Sequence, residues 1–180
     1  MEITVCRAAD VVLLDRYIGS PGVASSHARR FGCQEAGEGT YLVAWAEGRP
    51  VGHAEVRWGG CDAPEVRAAR PGCPEINGLA VWPEELRSRG TGSALIRAAE
   101  ELARERGRPV IGLGVDEANT RAAALYARLG YRPLIPYVNC WSYEDADGVT
   151  HEQADPCTFL VKDLAPDPEA QLEPGHEARC

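Results

Sequence analysis

Arg87-Ser88-Arg89-Gly90-Thr91-Gly92 stands at the head of a long amphipathic helical pattern spanning residues 91–106. Glycines that open a helix leave backbone N–H groups exposed to a bound anion, and the helix dipole adds partial positive charge at the same end. Two arginines beside those glycines add donors suited to phosphate oxygens. The stretch reads as a phosphate cradle with a helix behind it. Along that helix Leu95, Ala98, Ala99, Leu102 and Ala103 recur at i, i+3, i+4, i+7 and i+8, the spacing of a core-facing stripe. Gly107 ends it.

Working outward, residues 75–81 read as a strand stopped by Pro83, and residues 110–115 as a buried strand. Asn119 caps a further helix with Ala122, Leu125, Tyr126 and Leu129 on one face, closed by Gly130. Strand, helix, strand, helix, strand across residues 75–137 requires crossovers, and hence parallel pairing. The N-terminal part reads differently. Residues 2–7 alternate as a strand, Asp10 caps a short helix through Tyr17, and Gly19-Ser20-Pro21-Gly22 breaks it. A weakly marked helix follows at residues 26–31. Strands at 41–45 and 51–58 form a hairpin around Glu47-Gly48-Arg49-Pro50. Residues 59–72 read as a loop. Residues 131–143 and 158–161 supply later strands, with Asp147-Gly148 turning between them. The expectation is an α/β (α+β) fold with a mixed sheet, one domain over residues 1–164, and a flexible acidic, proline-containing tail over residues 165–180.

The chain has 180 residues, 44% of them hydrophobic, enough for one domain with a real core. No apolar run reaches the length of a membrane span, and the first residues lack the basic-then-apolar pattern of a secretory signal. A formal net charge of −8 argues against nucleic acid or an anionic membrane as the main partner and suits a cationic substrate. The seven cysteines include no Cys-x-x-Cys pair, and the four histidines supply no zinc spacing. Free thiols in a reducing cytoplasm, with no metal, are the expectation; Cys180 is an exposed thiol of the tail.

Three phosphate motifs compete for residues 87–92. A P-loop requires Lys followed by Ser or Thr after its second glycine, but Ser93-Ala94 follow Gly92. A dinucleotide fingerprint requires a third glycine where Leu95 stands, and a turn leading straight from strand to helix. Gly112-Leu113-Gly114 lies inside a strand pattern and marks close backbone approach rather than a nucleotide site. The third motif fits. The strand before Pro83, then Arg87-x-x-Gly90-x-Gly92 and its helix, resemble the acetyl-CoA motif of the GCN5-related N-acetyltransferases. Asn119-x-x-Ala122-x-x-Leu125-Tyr126-x-x-Leu129-Gly130-Tyr131 resembles the family's later helix and the strand after it. The likeness covers residues 40–135.

The resemblance implies a mixed sheet of six to seven strands with flanking helices, in which the parallel strands carrying Val81 and Val110 splay apart to admit acetyl-CoA. It places the main chain of Leu79, Ala80 and Val81 on the pantetheine amides and the acetyl carbonyl. Arg87, Arg89, Gly90, Thr91, Gly92 and Ser93 would surround the pyrophosphate. Asn119 would meet the pantetheine arm, and Tyr126 would sit near the thioester sulfur. It also implies transfer to an amine, with a homodimer through late strands left open.

Transfer from a thioester to an amine has three needs. The amine must lose a proton, the oxyanion must be stabilised, and the thiolate must leave. A free ammonium, with a pKa of about 10.4, is almost wholly protonated at neutral pH, so a general base helps. Main-chain N–H groups at Leu79 to Val81 can meet the oxyanion. Tyr126 is the candidate acid for the thiolate, although its place on an apolar stripe equally suits a core tyrosine. Glu75, opening the cofactor strand, is the first candidate base. His53 has the pKa for that role, but it shares a strand face with Glu55 and Arg57 that reads as a polar outer face. Trp141 and Tyr143 could line an acceptor site. Glu35, Glu38 and Asp62 could draw in a cation or serve as surface charge.

The expected activity is acetyl transfer from acetyl-CoA to a primary amine of a small molecule, by direct attack in a ternary complex. No cysteine lies in either motif, so nothing points to an acyl-enzyme. A domain that binds acyl-CoA without turnover, and transfer to a protein N-terminus or lysine, are the alternatives.

Overall fold

The computed structural model describes residues 1–86 and 89–164. Arg87, Ser88 and the tail 165–180 lie outside the described residues, and with them the expectations for Arg87, the tail and Cys180. The elements in chain order are β1 (Glu2–Val5), α1 (Ala8–Tyr17), α2 (Ser26–Glu35), β2 (Gly39–Ala46), β3 (Arg49–Arg57), α3 (Pro64–Ala69), β4 (Glu75–Val81), α4 (Thr91–Glu105), β5 (Val110–Asp116), α5 (Thr120–Arg128), β6 (Arg132–Glu144) and β7 (Thr150–Asp163).

All seven strands form one sheet in the order β1-β2-β3-β4-β5-β7-β6. Every neighbouring pair is antiparallel except β4 and β5, which are parallel. The mixed sheet follows from the sequence pattern: a short turn joins β2 to β3 as an antiparallel hairpin, whereas the helix α4 carries the chain across between the parallel strands β4 and β5. Glu47 and Gly48 turn β2 into β3 with φ of 51° and 73°, the left-handed pair that a two-residue hairpin requires.

One face of the sheet packs against α4 and α5. Leu95, Ile96, Ala99 and Ala103 of α4 are buried against Leu42, Ala54, Val56 and Ile76 from the strands. Each fully buried Leu or Ile contributes roughly 1.5–3 kcal/mol. α4 is tied down further by Glu100, whose carboxylate accepts hydrogen bonds from Lys162 at 2.8 and 2.9 Å and from the Tyr131 hydroxyl at 3.1 Å. The opposite face carries α1 and α2, with Leu14 of α1 buried against Cys6, Tyr41 and Val43.

Four sequence expectations change. The loop expected over residues 59–72 contains α3, which Pro64 opens at a position where a missing N–H costs nothing. The helix expected to end at Phe31 runs to Glu35. Asp10 does not precede α1 but sits in its first turn, accepting the Arg7 N–H at 2.8 Å. The strand expected over residues 158–161 is fourteen residues long, because its N-terminal half pairs only with β6. That pairing makes a two-stranded arm reaching beyond the sheet.

Candidate active site

β4 and β5 pair at only two positions, Glu75 with Gly112 and Ile76 with Leu113. After Ile76 the ladder between them stops, although both strands continue. Two local features accompany the parting. Glu55 opposes Asn77 and His53 opposes Ala80, so Gly78 and Leu79 together face the single residue Ala54 in a β-bulge. Gly78 has φ of 59°, a conformation open to glycine at low cost. On the other strand, Gly114 gives its side-chain space to the Tyr137 hydroxyl. The resulting cleft, about 1330 Å³, runs between the strands and opens on both faces of the sheet.

Gly90 caps α4 with φ of 92° and offers no side chain to its N–H groups. The first helical bond within α4 is Ala94 N–H to the Gly90 carbonyl at 2.9 Å. The N–H groups of Thr91, Gly92 and Ser93 therefore precede the intrahelical ladder, as at any helix start. The Cβ position of Gly92 is 3.8 Å from Leu125 and 3.9 Å from Val81, so the first turn stands beside the end of β4. Arg89 is exposed nearby and Thr91 is buried. This end of the fifteen-residue helix thus carries three N–H groups outside the ladder and the positive pole of the helix dipole, with glycines at 90 and 92.

α5 borders the same cleft. Asn119 is its cap, its Oδ1 accepting the Ala122 N–H at 3.0 Å. This leaves the amide N–H groups of Asn119 for a ligand. Tyr126 is buried yet lines the cleft. Burial pushes its phenol pKa up, so the hydroxyl keeps its proton.

The other mouth of the cleft lies under α1 and α2. Glu75, only 2% exposed, receives Arg57 Nη1 at 3.2 Å, and Arg57 also pairs with Asp62. Burial raises the Glu75 pKa, partly opposed by the Arg57 charge and by hydrogen bonds from Asn77 and Cys61. Leu79 lies four residues further along β4, about 13 Å away at strand rise, beyond the direct reach of the Glu75 carboxylate.

His53 and Glu55 correct the sequence reading. The face expected to be polar and outward is covered, leaving His53 5% and Glu55 3% exposed. The His53 ring meets His27 edge-on at 4.9 Å and Tyr41 at 5.7 Å. His27 Nδ1 lies 2.6 Å from the Tyr41 hydroxyl and its Nε2 lies 2.8 Å from the Gly19 carbonyl. The Gly19 carbonyl can only accept, so His27 donates from Nε2 and Tyr41 donates to Nδ1. Burial, with help from the Arg30 charge, pushes His53 down to about 3. A neutral ring with so little proton affinity is a poor base. Glu55 instead pairs with Arg30 of α2, Nε to Oε2 at 3.5 Å. Sequence reasoning named neither Arg30 nor its partnership. The alternation His53, Glu55, Arg57 was visible, but a helix covering it was not.

The arm of β6 and β7 roofs this mouth. Val23 N–H, between α1 and α2, donates to the Glu144 carbonyl at 3.0 Å. Gly22 packs so closely that Glu144 and Tyr143 occupy the space of a side chain. Trp141 and Tyr143 line the cleft, and Trp141 donates to Asp155 at 2.8 Å. Glu35 and Glu38 do not line it, whereas Asp62 does. Among the described residues, no group of three or more His, Cys, Asp or Glu is placed to hold a metal ion. None of the helices there is long and apolar enough to cross a membrane.

Comparison with known proteins bears on this geometry. A sequence profile of the acetyltransferase (GNAT) family matches residues 13–131. An uncharacterized N-acetyltransferase of Methanocaldococcus jannaschii is 35% identical over 95 residues, 52% of this chain and 39% of that protein. The chain thus matches well under half of that relative's length. Among solved structures, the ribosomal-protein-alanine N-acetyltransferase of Brucella melitensis superposes with a TM-score of 0.63 at 21% identity, covering 91% of this chain and 100% of that one. A GNAT family acetyltransferase of Elizabethkingia anophelis with acetyl-CoA bound gives 0.57 at 17% identity, covering 91% and 97%. These likenesses show the fold, and the matched profile spans more than half of the chain. The chain belongs to the GNAT acetyltransferase family.

Proposed function

We propose that the protein transfers an acetyl group from acetyl-CoA to a primary amine of a small molecule, by direct attack in a ternary complex. The observation that carries this reading is the parting of β4 from β5 after two paired residues, beside the open N-terminus of α4. Acetyl-CoA, held there, supplies the activated acyl group and a thiolate leaving group. The N–H groups of Thr91, Gly92 and Ser93, with Arg89, would hold the pyrophosphate. Arg87 and Gly90 belong to the same proposed cradle. The main chain of Leu79, Ala80 and Val81, left without β5, would align the pantetheine arm as an added strand does.

The residues of the chain then divide the proton work. Glu75, raised by burial, takes the amine's proton through water. Main-chain N–H groups at the bulge meet the charge that develops on the carbonyl oxygen. Tyr126, whose proton is retained, gives it to the departing sulfur. Asn119 steadies the arm.

The strapped mouth favours a small acceptor. The loop between α1 and α2 is hydrogen-bonded to the tip of the β6–β7 arm, so a folded protein surface would meet the strap before the bulge. The free state of six described cysteines suits a reducing cytoplasm. The test is liberation of CoA thiol from acetyl-CoA by a panel of amines. Amine-dependent release supports transfer. Tight acetyl-CoA binding with no release by any amine would favour a binding domain without turnover.

A further inference from the structure

We propose that Arg30 is an anion subsite that selects an acceptor with a carboxylate next to its amine, an α-amino acid. The proposal rests on the acetyl-transfer reading above and names its substrate class.

Arg30 projects from α2 into the cleft, with its side chain only 12% exposed. Its guanidinium lies over Gly78, the bulge residue, where Nη2, Cζ and Nε all occupy the space of a Cβ. Any other residue at position 78 would displace it. A buried guanidinium ordinarily fills most of its five N–H donors with acceptors. Here the contacts are sparse. Nη1 reaches the Ser26 carbonyl at 3.5 Å, the limit of a hydrogen bond. Nε lies 3.5 Å from Glu55 and makes no hydrogen bond. Nη2 has no acceptor among the described residues.

Arg29 and Arg30 both line the cleft here, and Glu55 is the carboxylate facing them. Of the other buried groups nearby, His53 is neutral and leaves Nδ1 unpartnered. Beside Gly78 the wall presents a planar guanidinium fork with unfilled donors, the arrangement that receives a carboxylate, while Arg29 and Arg57 add positive charge around Glu55.

The position explains why the amine would be adjacent to that carboxylate. Gly78 immediately precedes Leu79, the first residue proposed to meet the acetyl carbonyl, and one strand residue spans about 3.3 Å. In an α-amino acid the nitrogen lies about 2.5 Å from the carboxyl carbon. A carboxylate on Arg30 therefore leaves the amine within one residue of the thioester site. An amine separated from its carboxylate by several methylenes would overshoot.

The experiment compares glycine, alanine, leucine and phenylalanine with their α-amides, reading CoA thiol released from acetyl-CoA. The expected result is kcat/KM for acids above amides by on the order of 100-fold. In Arg30→Gln that ratio falls to near one, and in Arg30→Lys it recovers in part. Equal rates for wild-type acids and amides, or a ratio unchanged in Arg30→Gln, would overturn the subsite while leaving acetyl transfer intact. The wild-type comparison decides even if the variants do not fold. If no amine releases thiol, the transfer reading fails separately. Calorimetry of alanine and alaninamide on the CoA-loaded protein then decides: preference for the acid supports the subsite, and no preference overturns it.

Discussion

Gly92→Glu separates the cradle from the fold. The added Cβ would stand 3.8 Å from Leu125 and 3.9 Å from Val81, ordinary contact distances, so α4 accepts it. Replacing a glycine inside a helix gains about 0.5–1 kcal/mol. A carboxylate in the first turn adds about 0.3–1 kcal/mol by complementing the dipole. The variant should therefore melt no lower than the parent. Its effect on a diphosphate is the reverse. A carboxylate about 6 Å from one phosphate charge costs about 0.7 kcal/mol at a dielectric of 80 and about 2.8 kcal/mol at 20. Two such charges put the loss at about 1.4–5.5 kcal/mol, or roughly 10- to 10,000-fold in Kd. Calorimetric titration with CoA reads this directly. Gly92→Ala isolates the contribution of bulk, and the excess loss in the glutamate variant should shrink as salt rises. A Gly92→Glu protein that binds CoA within about twofold of wild type would refute the cradle.

The other residues of the site give sharper kinetic outcomes. Tyr126→Phe should lower kcat by about 10²-fold with CoA affinity unchanged, since it removes a proton donor and little surface; equal losses in both would make Tyr126 a cofactor contact only. Glu75→Gln should abolish the acidic limb of the kcat/KM profile. The base acts only when ionised, and burial raises its pKa, so wild-type activity should rise with pH through a midpoint above the ordinary carboxylate range. An unchanged profile in the variant would exclude Glu75. His53 predicts a stability effect: burial holds its folded pKa at about 3, below the ordinary 6.5. The unfolded chain thus binds the extra proton, and the contribution is fully present above 6.5 and lost as pH falls toward 3. At pH 5 the loss is about 2 kcal/mol, with His27 acting in the same direction. His53→Gln should flatten melting temperature against pH between 5 and 7, and an unflattened curve would contradict the assignment.

The elements proposed to carry the cofactor were legible as a strand and two helices because each has a local signature. The strand Glu75–Val81 is bounded by prolines, and α4 by glycines at both ends. Asn119 caps α5 as its side chain dictates. The mouth proposed to take the acceptor was hidden because its residues are polar and acquire meaning only through long-range packing. His53 and Glu55 alternate as a solvated strand would, and nothing local reveals that α2 covers them. Gly78 looked like any glycine in a strand, whereas its φ of 59° and the guanidinium above it emerge only from the register of β3 against β4. α3 was missed because its six residues are too few for a helical period to stand out.

A structure of the protein with acetyl-CoA tests the central claim most directly. The account predicts the pantetheine arm along Leu79 to Val81 in the gap left by β5, and the pyrophosphate on the N–H groups of Thr91, Gly92 and Ser93. A ligand bound elsewhere, with β4 and β5 closed on each other, would contradict it.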